Sequence, residues 1–181
     1  MLRWILLLSV SCAPAFAAED CYTASAADGE VTFHVLQAGA PFIGNFRRFS
    51  GEVCFTQRRI TRIDASLDPA SVDSGLPEID ANLIKQDFFD TREFPLVTFT
   101  SSSVSTQGDT HTVHGTLAIK GNRREVEVAL RSEQSGGKIA ISGSFTLDRL
   151  KYDIGTGEWT NTKWLGAEVR LDIRATLTRK K

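Results

Sequence analysis

Histidine and cysteine are scarce in this sequence, and their scarcity limits the chemistry that it can support. The 181 residues include three histidines and three cysteines. His111 and His114 lie three positions apart in a segment with strand-like alternation, so they point to opposite faces and cannot chelate one metal ion without a bulge. His34 and His114 fall on the outward face, which leaves little from which to build a Ser-His-Asp triad. We therefore predict no enzyme, no metal site and no cofactor.

A basic surface and a long apolar run are also missing. Lysine and arginine number 21 against 22 acidic residues, a net charge of −1. No positive field therefore favours nucleic acid. The "GTG" at 155–157 lacks the Lys-Ser/Thr pair of a phosphate loop. Apart from the first residues, no stretch approaches the about 18 apolar residues of a spanning helix. The length suits one ordinary soluble domain.

The first 17 residues have the pattern of a secretory signal peptide. "MLRWILLLSVSCAPAFA" begins with a basic residue, Arg3, continues with an apolar core and ends in an A-x-A cleavage site. A lipoprotein signal ending at Cys12 is the alternative, although Ser9 stands where such a signal usually has leucine. We predict removal of 1–17, a mature domain over 18–181, and a periplasmic or secreted location.

Period-two alternation, rather than helical periodicity, runs through the rest of the chain. Apolar residues at alternate positions are the mark of a strand with one buried face. Hairpin signals occur at 107–109, 121–123 and 135–137. Eight such strands joined by short turns predict an all-β fold, an eight-stranded antiparallel up-and-down barrel. The predicted strands are 31–35, 49–56, 62–67, a strand that starts at Val97, 113–119, 125–131, 139–147 and 169–177.

Two insertions interrupt this meander. Residues 76–90 have apolar positions at helical spacing and Pro77 near the start, which predicts one short helix near the barrel mouth. Residues 150–167 form a long loop that carries Tyr152, Trp159 and Trp164. Long ordered loops often have a functional role.

The apolar face of the strands contains many small residues, which favours a hollow barrel. A barrel of eight strands is either filled by side chains or wide enough for one small ligand. Bends at barrel corners are an alternative reason for each glycine. A hollow barrel lined by Val, Ile, Leu and Phe suits a long apolar chain, since burial contributes about 0.8 kcal/mol per CH₂. The small residues are Gly51, Ala65, Ser101, Ser103, Gly115, Gly143 and Ala175.

Cys21 and Cys54 are the cysteines that remain after the predicted cleavage. Two thiols in an oxidising compartment often pair. A hairpin centred near residue 42 would place Cys54 opposite residue 30, so pairing would need 24–29 to fold back. The sequence leaves both the disulfide and two free thiols open.

Phe88 and Phe89 stand side by side where the predicted helix gives way to the strand after Pro95. Adjacent residues point in different directions, so in a solid domain one of the two rings would be difficult to bury. Over a hollow barrel, one ring can face the cavity while the other packs beneath the helix or the 150–167 loop.

Several motifs make the chain resemble the YceI-like family of exported, lipocalin-like barrels associated with polyisoprenoid binding. The most specific motif runs from Asp80 to Phe99: D-x-x-L, then D-F-F-D, then F-P-x-x-x-F. "FRRFSGEVCF", "VHGTLAIKGNRREVEVAL" and "GSFTLDRLKYDIGTGEWTNT" also match. The "YDIGTGEW" segment is similar to the subset found beside cytochrome b561-type membrane proteins. The resemblance implies an elongated apolar pocket that takes a polyprenyl chain, a quinone or a related amphiphile.

We expect the protein to be a carrier or sequestering module for such a lipid. A homodimer is left open. The alternatives are an interaction module for a cytochrome b561-like partner and an outer-membrane barrel. The predicted ligand-binding residues lie along the barrel interior, at its mouth and in the 150–167 loop: Phe33, Phe49, Phe55, Leu83, Phe88, Phe89, Phe99, Leu117, Phe145, Leu147, Tyr152 and Trp159.

Overall fold

In the described part of the chain, eleven strands form one antiparallel sheet that closes on itself. The computed structural model describes residues 19–180, so the predicted signal peptide lies outside the described residues. The strands are β1 Asp20–Ser25, β2 Gly29–Gln37, β3 Ala40–Phe46, β4 Phe49–Thr56, β5 Arg59–Leu67, β6 Val72–Asp73, β7 Val97–Gln107, β8 Thr110–Ile119, β9 Asn122–Ser135, β10 Lys138–Asp148 and β11 Glu168–Arg179. One α-helix, α1, covers Pro77–Leu83, and short 3₁₀ turns cover Pro69–Ser71, Arg149–Tyr152 and Gly157–Thr160.

The barrel wall counts as eight strands, because two of its strands are interrupted and each is recorded as two shorter ones. β1 and β2 both pair with β11, and they pair with β4 and β3 respectively. β1 and β2 therefore act as one bent strand, and β3 and β4 as its hairpin partner. β5 and β7 to β11 follow in chain order, and pairing of β1 with β11 closes the sheet. The prediction of an eight-stranded antiparallel up-and-down barrel is confirmed.

Three strands were not predicted. β1 (DCYTAS) and β3 (APFIGNF) have no regular alternation of large apolar residues, and β6 has only two residues. β3 starts after a tight turn in which Ala38 and Gly39 both have positive φ, as two-residue hairpins require. The hairpin therefore turns four residues before the predicted centre near residue 42.

This register brings Cys21 and Cys54 together. The two residues are directly opposed on β1 and β4, and their sulfur atoms form a disulfide. No folding back of 24–29 is needed, because β1 continues into β2 along the same barrel wall. The disulfide joins the first half of the first bent strand to the second half of its partner.

The two ends of the barrel differ. At the end that we call the hairpin end, two-residue turns join β4 to β5, β7 to β8 and β9 to β10. The opposite end, which we call the mouth, carries the long connections 68–96 and 149–167 and the turn at Lys120–Gly121. The helix at the mouth ends at Leu83 rather than at residue 90. Turns then continue to the start of β7, and in them the amide of Phe88 donates to the carbonyl oxygen of Lys85 and the amide of Phe94 donates to that of Asp90.

The buried apolar side chains lie inside the barrel, as the alternation predicts. Val113, Leu117 and Ile119 of β8 are buried, whereas His114 on the opposite face is exposed. Polar residues on the outer face pair across strands, as His34 does with Asp172 at 2.9 Å. Within residues 19–180, no helix has the length and apolar character to cross a membrane.

Candidate functional site: the barrel cavity

A cavity of about 300 Å³ occupies the mouth half and the centre of the barrel. Its wall is almost entirely aliphatic and aromatic. Strands supply most of the wall, while Ile79 and Leu83 of α1, Phe88 and Phe89 of the following segment, and Trp159 of the 149–167 loop cover the mouth. The connections at the mouth thus complete the cavity that the barrel begins.

Ten of the twelve predicted ligand-binding residues line this cavity. They come from five strands and from both mouth connections: Phe33, Phe49, Leu83, Phe88, Phe89, Phe99, Leu117, Phe145, Leu147 and Trp159. Their position in the wall is a structural fact, and their contact with a ligand stays a prediction. Sequence reasoning missed other lining residues, among them Val31, Phe42, Phe46, Leu171 and Ile173. Most of these show the same inward alternation and could have been included.

Phe55 and Tyr152 do not belong to the cavity wall. Phe55 lies near the hairpin end, where its ring packs edge-on against Tyr22 at 5.6 Å between centroids. Tyr152 is 2% exposed and packs in the same apolar cluster as Phe88 and Leu117 without lining the cavity. Burial raises the pKa of the Tyr152 phenol, so this side chain stays neutral and serves the core.

The small residues have two different roles. Gly51, Ala65 and Ala175 line the cavity, and a Cβ on Gly51 would come no closer than 3.7 Å to any neighbour. Gly115 is instead covered by the ring of Phe99, which a Cβ would meet at 2.7 Å. Gly143 is covered in the same way by Leu130. Small residues therefore leave room at Gly51, Ala65 and Ala175, whereas neighbouring side chains pack over Gly115 and Gly143.

Phe88 and Phe89 divide their contacts between two clusters. Phe88 is 6% exposed and its ring lies 5.5 Å from that of Trp159. Phe89 is half-buried and meets Phe46 edge-on at 5.9 Å. Both rings also reach the cavity. One phenylalanine thus anchors the segment to the 149–167 loop and the other to β3.

Polar contacts tie the two mouth connections together. The backbone oxygen of Asp87 accepts hydrogen bonds from the amides of Gly155 at 2.7 Å and Thr156 at 2.9 Å. Lys120 donates to the carbonyl oxygens of Gln86 at 2.6 Å and Asp153 at 2.8 Å. α1 is held less firmly: Asp80 accepts from Ser74, and none of the helix residues is buried.

Arg149 is the buried charge that sequence reasoning missed. It is 1% exposed and lies in the cavity wall. Its guanidinium donates to five backbone carbonyl oxygens, those of Ile154, Gly155, Trp159, Leu165 and Gly166, at 2.6–3.2 Å. All five N–H groups are thereby satisfied. Burial lowers the pKa of the Arg149 guanidinium. The residue fixes the shape of the loop and has no donor left for a ligand.

No catalytic arrangement lies in this wall among residues 19–180. Arg149 is its one ionisable residue, and its other polar residues are Gln37, Ser50, Ser66 and Asn82. His111 is buried elsewhere, between Thr106 and Ser132. The one group with metal-like spacing in the described chain, Glu19, Cys21 and Cys54, contains the disulfide, so its sulfurs are not thiolate ligands. The cavity can hold an apolar chain and offers a few amide and hydroxyl groups near it.

Known relatives share parts of this sequence. The chain is 32% identical over 117 residues to a UPF0312 protein of Vibrio vulnificus. It is 29% identical over 118 residues to protein YceI of Escherichia coli. The matched region spans 62% of the length of either relative, and 62% and 61% of this chain respectively.

Solved structures share the fold. BcnA of Burkholderia cenocepacia superposes with a TM-score of 0.81 at 28% identity, covering 86% of this chain and 99% of that one. A polyisoprenoid binding domain from Saccharophagus degradans gives a TM-score of 0.71 at 14% identity, over 88% and 98% of the two chains. At that identity the second likeness concerns the fold alone.

The model of the YceI-like domain matches residues 22–177. This range runs from β1 to the end of β11 and includes α1, the junction with Phe88 and Phe89, and the loop around Arg149. The chain therefore belongs to the YceI-like domain family.

Proposed function

We propose that the protein binds a long-chain isoprenoid, such as a polyprenyl chain or a quinone with an isoprenoid tail, and acts as its carrier or sequestering module. The observation that carries the proposal is the closed-over cavity with its aliphatic and aromatic wall. Burial of apolar surface is non-directional, so such a wall holds a flexible hydrocarbon without a charged anchor.

The chemistry of the wall favours a ligand with an uncharged body. Arg149 is already saturated by carbonyl oxygens, and no carboxylate faces the interior among the lining residues. A polyisoprenoid binding domain has the same fold, so the fold is compatible with this ligand class. The proposal is one of binding rather than catalysis, in the periplasm or outside the cell, where the predicted signal peptide would deliver the protein.

The apolar faces of the strands point inward in this barrel. Outer-membrane barrels have the reverse arrangement, an outward apolar band around a polar interior. This observation favours the lipid-binding proposal over the alternative of an outer-membrane barrel. A cytochrome b561-like partner and a homodimer stay predictions. Trp159 packs against Phe88 and is half-buried.

Native mass spectrometry of protein purified from its own cell envelope tests the proposal. We expect a bound species whose mass and fragments identify an isoprenoid, and retention of added geranylgeraniol by stripped protein. Gly51→Leu provides the matched variant, since its side chain would extend into the cavity and should reduce retention without unfolding the barrel. A wild-type protein that carries no lipid and retains no added prenol would contradict the proposal.

A further inference from the structure

In the part of the chain that the structure describes, the large apolar side chains that face solvent are confined to the mouth half of the barrel. Among residues 19–180, six large hydrophobic residues are more than a third exposed: Leu36, Ile43, Leu76, Ile84, Leu96 and Trp164. Leu36 and Ile43 belong to the β2–β3 hairpin, which turns at the mouth. The other four lie in the connections 68–96 and 149–167. The turns of the hairpin end carry none of the six.

Trp164 and Leu36 occupy the same section of the rim. The carbonyl oxygen of Trp164 accepts from the amide of Ala38 at 2.8 Å, and that of Leu36 accepts from the amide of Gly166 at 2.7 Å. These bonds fasten the 149–167 loop to the β2–β3 hairpin. Trp164 is nevertheless 62% exposed and Leu36 54%, so a firmly held backbone presents both side chains to the outside.

Leu76 and Ile84 flank α1 on its two sides along the chain, 52% and 37% exposed. Between them, Ile79 and Leu83 of the same helix line the cavity. The edge of β3 that faces away from β2 pairs with β6 at Asn45 and Phe46, so among the described residues the rest of that edge has no strand partner. Exposed apolar residues therefore stand at both ends of a helix that covers part of the cavity and has no buried residue of its own.

From this placement we infer that the mouth docks on a lipid bilayer whose headgroups carry no net charge, with Trp164, Leu36 and the flanks of α1 in the interfacial layer. Tryptophan and leucine on rigid loops suit that layer, where an apolar body meets a polar boundary. Connection 68–96 carries more acidic than basic residues, so a strongly anionic surface would repel it. Docking as a route of uptake rests on the proposed function, since it lets the isoprenoid pass between bilayer and cavity without crossing water.

Flotation with phosphatidylcholine vesicles tests the inference. The mouth variant is Leu36→Asp with Trp164→Asp, and the matched control places the same two charges at the hairpin end, Gln107→Asp with Ser135→Asp. We expect wild type and control to float with the vesicles, and the mouth variant to bind them at least about tenfold more weakly. Trp164→Phe should retain binding. Vesicles with phosphatidylglycerol should bind wild type no better than neutral ones.

Uptake of dansyl-labelled geranylgeraniol from the vesicles should fall together with flotation in the mouth variant, while its affinity for the same probe added in detergent should match wild type. A wild type that does not float, or a mouth variant that floats equally well, would overturn docking. Docking would also be overturned if the mouth variant lost a dimer that wild type forms and still bound the vesicles. Failure of wild type to bind the probe in detergent would instead count against the proposed function, and flotation would still decide docking.

Discussion

A single buried arginine determines the form of the mouth. Among residues 19–180, no carboxylate lies within hydrogen-bond distance of Arg149, and five carbonyl oxygens of the 149–167 loop accept its hydrogen bonds instead. Carbonyl dipoles satisfy the geometry of the guanidinium, so its burial costs less than that of an unpaired charge. Period-two alternation gives no sign of these bonds, because they run from one side chain to the backbone of an irregular loop.

Replacing Arg149 by methionine should lower the free energy of unfolding by about 3–5 kcal/mol, because five carbonyl oxygens lose their donors inside the protein. Urea unfolding measures the loss, and hydrogen exchange should show faster opening of the 149–167 loop. Arg170→Met is the control: Arg170 is exposed beside Asp172, and its loss should change stability by no more than about 0.5 kcal/mol. Similar effects of the two changes would contradict the role of Arg149.

His111 should make stability depend on pH. Its ring lies between the hydroxyl groups of Thr106 at 2.9 Å and Ser132 at 2.8 Å. Burial lowers its pKa below the ordinary 6.5, with Asp109 opposing the shift in part. The unfolded chain therefore takes up the proton first as pH falls. The stabilising contribution is complete above pH 6.5 and is lost as pH falls from 6.5 toward the lowered pKa.

Below pH 6.5 or so, the free energy of unfolding should fall less steeply with pH in His111→Gln than in wild type. The difference in slope is at most about 1.4 kcal/mol per pH unit, which is the limit for one proton. Unfolding free energies of wild type and variant, measured at several pH values from 7.5 to 5 or so, give the difference directly and cancel the common contribution of carboxylates. His114→Gln is the matched histidine replacement on the exposed face, and its profile is measured beside the other two. Parallel profiles for His111→Gln and wild type would contradict the assignment.

At the scale of elements, alternation predicted the barrel but did not show where two of its strands are interrupted. β2, β4, β5 and β7 to β11 each bury one face, so the period of two revealed them. β1 was not predicted because it has few bulky apolar residues. Pairing with β4 and the disulfide hold it in the barrel instead. Turn position is set by positive φ at Ala38 and Gly39, and a non-glycine residue in that conformation gives no sequence signal.

The same limit applies to the cavity wall. Inward position could be read from the pattern, but free space could not. Gly115 looked like room for a ligand until the structure placed Phe99 over it. Tyr152 was predicted to contact a ligand at the mouth, yet it is buried in the apolar cluster next to Arg149, whose side chain shapes the loop. Contacts between distant segments decide these cases, and no local period encodes them.

The segment 84–96 gives a prediction about its two phenylalanines. Phe88→Ala should lower the free energy of unfolding by about 3–5 kcal/mol, the usual cost of truncating a buried phenylalanine. Phe89→Ala should cost clearly less, because Phe89 is half-buried, and should weaken retention of a prenol more. Urea unfolding together with prenol retention separates the two effects. Equal and small changes in both properties for both variants would contradict the division of roles.

At the scale of the whole molecule, a closed sheet and two long connections produce a container rather than a solid core. The ladder fixes the width, while Phe88, Trp159 and Leu83 close the mouth. Because the barrel fixes the width of the cavity, only a limited length of hydrocarbon chain can be enclosed. The affinity of the protein for a chain should therefore increase with chain length only until the available space is filled.

Geraniol, farnesol and geranylgeraniol form the series that measures this capacity. At about 0.3 kcal/mol per heavy atom, each five-carbon unit that enters the cavity should tighten binding by roughly tenfold. In Gly51→Leu, the added side chain takes up space near the centre of the barrel, so the increase should stop at a shorter chain than in wild type. Isothermal titration of both proteins with the series gives the dissociation constants. Affinity that does not change with chain length in wild type would place the prenols outside the cavity, because only an enclosed chain adds buried surface with every unit.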